Sequence, residues 1–179
     1  MYILLDTEFT DFDSRDVISV GMVSECGGYE FYSEVSDHNP NLRTQFVNQV
    51  VMPLLQGGDV SVPYAQSAER MSNWLTSLPQ DQGDLMVLVD YIGDWLIVDC
   101  MLRKFPIKRP IRCQFINYAL DHIIKERGIT APEVLTQARI NFDSGCQHYY
   151  TIDSRQHHAL VDAKSNRVGW LAGKAVLNV

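Results

Sequence analysis

Apolar residues along this chain recur at two periods, one of about two and one of about 3.6 residues, and the two separate strands from helices. The run Tyr2–Asp6 is apolar up to its final carboxylate and reads as a short buried strand. Val17–Ser24 reads as a second strand, and the turn signal Cys26-Gly27-Gly28 leads into a third, Tyr29–Glu34, with alternating aromatics. These three predict an antiparallel meander. Helical spacing then covers Thr44–Leu55, where Pro53 kinks or ends the last turn before Gly57-Gly58. A second amphipathic helix is expected over about Ala65–Leu78, with Ala, Met, Trp and Leu on one face.

From Leu85 the pattern changes to strands alternating with helices. Leu85–Val89 is wholly apolar, as befits a strand covered on both faces. Asp94–Phe105 reads as a helix stopped by Pro106 and Pro110, followed by a short strand near Pro110–Gln114 and a helix over Ile116–Arg127 that ends at Gly128. Pro132–Ile140 predicts one more helix, Gly145–Ser154 a polar loop, and His158–Leu177 a long closing helix. A meander followed by alternating strands and helices predicts a single α/β domain over 1–179, with a mixed central sheet.

Composition narrows the classes of function. A chain of 179 residues, 46% hydrophobic and 21% charged, is long enough for one domain with a real core and is not a disordered chain. A formal charge of −7 argues against gripping long nucleic acid through the overall field, but leaves open an enzyme that handles a short stretch near a chain end. No apolar run reaches the roughly 18–20 residues of a membrane span. The opening MYILLDTEF meets a carboxylate too soon for a signal peptide or an anchor. Cys26, Cys100, Cys113 and Cys146 form no CxxC pair, so free thiols and a cytoplasmic protein are expected. Monomer and homodimer both remain open.

The candidate chemistry lies in the carboxylates. Asp6 and Glu8 are two apart at the end of the first strand, so alternation points both to one side. They either face solvent beyond the strand or share a cation. Asp11, Asp13 and Asp16 follow, without the glycine and terminal glutamate of a calcium loop. Asp94 stands where a buried strand passes to a helix, a place that suits both a helix cap and a cleft ligand. Asp90 is its competitor, closer to the strand end. Within Gln156-His157-His158-Ala159-Leu160-Val161-Asp162-Ala163, His157 and Asp162 would lie about 140° apart if both were helical. They can serve one site only if His157 precedes the first turn. Cys146, His148, His157 and His158 match no common zinc spacing.

Together these pieces resemble the DEDDh exonucleases of the ribonuclease H-like superfamily. The first motif, DxE in an apolar strand, matches Leu5-Asp6-Thr7-Glu8-Phe9. The second, an aspartate after a buried strand, matches Asp90-Tyr91-Ile92-Gly93-Asp94, with Gly93 where an aromatic is expected and Asp90 near the usual asparagine. The third, H-x-A-x-x-D, matches His157-His158-Ala159-Leu160-Val161-Asp162 in full. The wording of DTEF and of Asp90 to Trp95 looks closest to a small bacterial and phage branch of 3′→5′ exoribonucleases. The resemblance implies a ribonuclease H-like fold and removal of nucleotides from the 3′ end of single-stranded or overhanging nucleic acid, with RNA preferred. It implies two Mg²⁺ or Mn²⁺ ions on Asp6, Glu8, Asp94 and Asp162, and His157 as general base.

Substrate contacts are expected from Thr7, Phe9 and Phe12, the two rings stacking on terminal bases or, for Phe9, filling core. Trp95 and Trp170 read as packing residues. Arg103, Lys104, Lys108, Arg109 and Arg112 put five cations into ten residues. They form either a solvated helix end or a phosphate track in which Arg109 and Arg112 take part. Two other readings stay open: an inactive domain of the same fold that binds nucleic acid or protein, and a metal phosphatase of small nucleotides. The second would be favoured by a nucleotide-sized pocket lacking the basic segment.

Overall fold

A computed structural model describes residues 1–177. The meander expected from the first three apolar runs forms: β1 (Tyr2–Phe9) pairs antiparallel with β2 (Val17–Ser24), and β2 with β3 (Glu30–Val35). A two-residue strand that the sequence pattern is too short to reveal, β4 (Ser61–Val62), adds in parallel to β3. Helix α1 (Tyr64–Ser77) follows, then β5 (Leu85–Val89), α2 (Ile92–Lys104), β6 (Ile111–Phe115), α3 (Ile116–Glu126), α4 (Pro132–Ile152) and α5 (Ala159–Lys174). The six strands lie in the order β4-β3-β2-β1-β5-β6, and β1, β5 and β6 run parallel. The protein is therefore α/β with a mixed six-stranded sheet flanked by helices. Among the described residues no helix is long and apolar enough to cross a membrane.

Alternation along β1 divides the core in two. Ile3 and Leu5 face α1 and α2, where Met71, Leu75, Val98 and Met101 are buried. Leu4 faces the other way with Leu88, Leu120, Ala163 and Trp170 of the opposite helical layer. Full burial of one such aliphatic side chain contributes about 1.5–3 kcal/mol before the entropy of ordering is set against it. Trp95 packs against the first cluster, and Trp170 is wholly buried with its indole N–H donated to Glu25 (2.8 Å), so both tryptophans are packing residues as expected.

Three expectations need correction. The run Gly145–Ser154 is not a loop: α4 continues to Ile152. Ala138, Phe142 and Gly145 are buried at helical spacing while Asp143, Ser144, Gln147 and His148 face solvent, so the polar residues that suggested a loop are the outer face of a helix. Thr44–Leu55 is not one regular helix either. A wide π turn at Val47–Val51 gives way to a tight 3-10 turn at Met52–Leu54, because Pro53 has no N–H with which to extend the helix. Finally, α2 starts at Ile92, so Asp94 sits inside the first turn and Tyr91 occupies the cap.

Candidate active site

Parallel pairing of β1 and β5 brings their carboxyl ends to one edge of the sheet, beneath the start of α2. Tyr2 lies opposite Met86 and Leu4 opposite Leu88, and two residues further in the same register Asp6 comes beside Asp90. On the other flank Asp6 faces Gly21 of β2. A Cβ at Gly21 would run into the backbone of Ala159, so the absence of a side chain there lets the first turn of α5 rest on the sheet next to Asp6.

The backbone just before α5 is shaped to match. His158 is the extended cap residue, and His157 has a φ of 70°, a left-handed conformation that costs a non-glycine residue about 1–3 kcal/mol. The His157 N–H donates to the Asp162 carboxylate (2.9 Å), which holds that turn. His157 therefore precedes the helix, as the sequence requires of a residue that shares a site with Asp162. His158 points away, buried and stacked on Tyr32 with ring centroids 4.5 Å apart.

Two trios of donor groups result. In one, oxygens of Asp6, Asp90 and Asp94 all lie within 4.8 Å of one another; in the other, Glu8, His157 and Asp162 do so. Both motif-two aspartates reach Asp6.

Burial and mutual repulsion make these carboxyls reluctant acids. Asp6 is held well above the usual range by burial and then by Asp94, Glu8, Asp162 and Asp90. Glu8 is pushed up to about 8 by burial and then by Asp162 and Asp94. Asp94 rises to about 7, burial outweighing the Thr7 hydroxyl that donates to it at 2.7 Å. Asp162 rises to about 6 through burial, against the lowering effect of the Tyr150 hydroxyl (2.8 Å) and the His157 N–H. Burial lowers His157, so its imidazole is neutral near pH 7.

The cleft above these groups encloses about 620 Å³. Its mouth is aromatic: Phe9, Phe12 and Tyr91 meet one another at centroid distances of 5.4, 6.2 and 5.9 Å, and Phe46 meets the His157 ring edge-on at 4.9 Å. A Cβ at Gly93 would strike the Tyr91 ring, so Tyr91 lies over the position where the family pattern expects an aromatic. Of the expected substrate contacts, Phe9 is partly buried, Phe12 is open to solvent, and the Thr7 hydroxyl is committed to Asp94. Arg109 and Arg112 are not at the cleft. They flank the opposite end of β5, where Arg109 donates to the Gly83 carbonyl and Arg112 pairs with Asp84 at 3.4 Å.

Neither a family model nor a curated protein matches the chain.

Donor chemistry therefore has to identify what the cleft holds. Five carboxylates and one imidazole, with no cation among the lining residues, suit a hard divalent ion such as Mg²⁺ or Mn²⁺. Cys146, His148, His157 and His158 make no such group among the described residues, and the Cys146 thiol is turned to the Ser165 carbonyl. Sequence reading passed over Tyr150, Tyr91 and Phe46. Tyr150 was hidden by the mistaken loop, although its helical spacing from Phe142 and Cys146 was there to be followed.

Proposed function

We propose that this chain is a divalent-metal-dependent 3′→5′ exonuclease of single-stranded ends, with RNA preferred, on a ribonuclease H-like frame. The observation that carries the reading is that Asp6, Asp90 and Asp94 on one side, and Glu8, His157 and Asp162 on the other, share one cleft. The antiparallel meander continued by parallel strands supports the fold assignment. Four free thiols suit a reducing compartment such as the cytosol.

Asp6, Asp90 and Asp94 would hold one ion and Glu8 and Asp162 a second. When bound, the ions would supply charge to activate a water and to stabilise the departing 3′ oxygen. The protein's own groups do the rest. Tyr150 and the His157 N–H fix both oxygens of Asp162, and Thr7 fixes Asp94. The neutral His157 ring, steadied by Phe46, takes a proton from the water as its oxygen bonds to phosphorus. The phosphorus–O3′ bond breaks, the O3′ takes a proton from solvent, and a 5′-mononucleotide and a shortened strand result.

A second reading, hydrolysis of a phosphate ester on small nucleotides, is favoured by the placing of Arg109 and Arg112 away from a nucleotide-sized cleft. Incubation with 5′-labelled oligonucleotides and, separately, with mononucleotides decides between them. A descending ladder that stops on chelation of the metal is expected. Release of inorganic phosphate from mononucleotides with intact oligonucleotides would favour the second reading.

A further inference from the structure

Sequence-independent binding of a long strand rests largely on its phosphates, and lysines and arginines along its path supply most of that attraction. This cleft offers none. Six carboxylates line it (Asp6, Glu8, Asp11, Asp90, Asp94 and Asp162), and no lysine or arginine does. Three arginines close in sequence to its lining residues have other partners: Arg155 is paired with Asp153 at 2.7 Å, Arg43 donates to His38, and Arg15 donates to the Phe12 carbonyl. What the mouth presents is apolar. Phe12 is 70% exposed, yet its turn is held by Asp11, which accepts hydrogen bonds from the Asp13 N–H, the Ser14 N–H and the Ser14 hydroxyl. Phe46, across the cleft beside His157, is 49% exposed. An exposed ring on a fixed turn is a ready stacking surface, and stacking is indifferent to sequence. The enclosed volume of about 620 Å³ is that of a pocket for one drug-sized ligand, not of a groove for a strand.

Building on the nuclease reading, we propose that the cleft engages only the last two or three nucleotides of its substrate. They are held by stacking and by the bound ions, so that very short oligonucleotides are hydrolysed as efficiently as long ones. The remainder of a long strand stays in solvent and adds nothing to binding.

The test is kcat/KM per 3′ end on RNA of three, ten and thirty nucleotides, with a matched DNA series, in Mg²⁺ or Mn²⁺. The three lengths should agree within about threefold. The slope of log(kcat/KM) against log salt should be shallower than −1, where contacts to six phosphates of a single strand would give about −4. Phe12→Ala should raise KM for the trimer about tenfold with kcat little changed, and Phe12→Tyr should restore it. Thirty-mers favoured by an order of magnitude or more, a steep salt slope, or an unchanged KM in Phe12→Ala would overturn the proposal while leaving the nuclease reading intact. Failure to cleave any length would overturn both.

Discussion

At the carboxyl ends of β1 and β5, six aspartates and glutamates line one cleft with no lysine or arginine among its lining residues. At the opposite ends of the same strands, Arg109 rests on the Gly83 carbonyl and Arg112 on Asp84. The basic end turns to its own neighbours, Arg112 to a carboxylate and Arg109 to a carbonyl, and away from the cleft. The carboxyls of the acidic end instead hold their protons, Glu8 up to about 8 and Asp94 to about 7. A charge that a fold leaves uncompensated is a better guide to function than one that is merely conspicuous.

The largest effect expected from breaking this contrast is at its acidic centre. Asp6→Asn and Asp162→Asn should each reduce metal-dependent hydrolysis to background. Asp90→Asn and Asp94→Asn should both weaken Mn²⁺ binding by calorimetric titration. Undiminished affinity in either would remove that residue from the ion's shell.

Next comes His157, the proposed proton acceptor. His157→Ala should lower kcat by about 10²–10⁴ with KM little changed. His158→Ala should keep most of kcat and instead lower the melting temperature, since it removes a buried ring stacked on Tyr32. A larger kcat loss at His158 than at His157 would reassign the base.

Smaller, but sharper as a test of the electrostatics, is the pH dependence of stability without metal. The folded carboxyls titrate above their unfolded values, so their protonated forms stabilise the fold. That contribution is complete below about pH 4, the unfolded range, and is lost as pH rises through about 6 for Asp162, 7 for Asp94 and 8 for Glu8. Thermal melts in chelator should therefore fall between pH 5 and pH 8.5, and millimolar Mg²⁺ or Mn²⁺ should restore the upper end. A flat profile would show that the cleft is not strained. The smallest effect belongs to the basic end: Arg109→Ala with Arg112→Ala should change kcat/KM by no more than about twofold, against the uniform loss that removing phosphate contacts causes.

Much of this site was legible because alternation and helix position are local. Two residues of a strand put Asp6 and Glu8 on one face, and the H-x-A-x-x-D frame demanded that His157 stand ahead of α5. What was illegible depends on register between distant segments. Nothing within Asp90–Asp94 says that β5 pairs with β1 so as to deliver Asp90 to Asp6, and so the two aspartates looked like alternatives. The arginine segment was visible as charge, but its partners Gly83 and Asp84 were not visible as partners. Tyr150 was lost with the end of α4, whose solvent face carries the composition of a loop.

The contact of Gly21 with Ala159 has a consequence for the order of folding. Asp6 and Glu8 stand near the beginning of the sequence and Asp162 far along it, on an α5 whose start rests on Gly21. Contacts of such long separation form late, since loop closure must precede them. The growing chain can build its meander and bury β1 while the carboxylates still face open solvent. The trio of Glu8, His157 and Asp162 is then completed in one step, when α5 seats on the bare backbone of Gly21 and brings His157 and Asp162 with it.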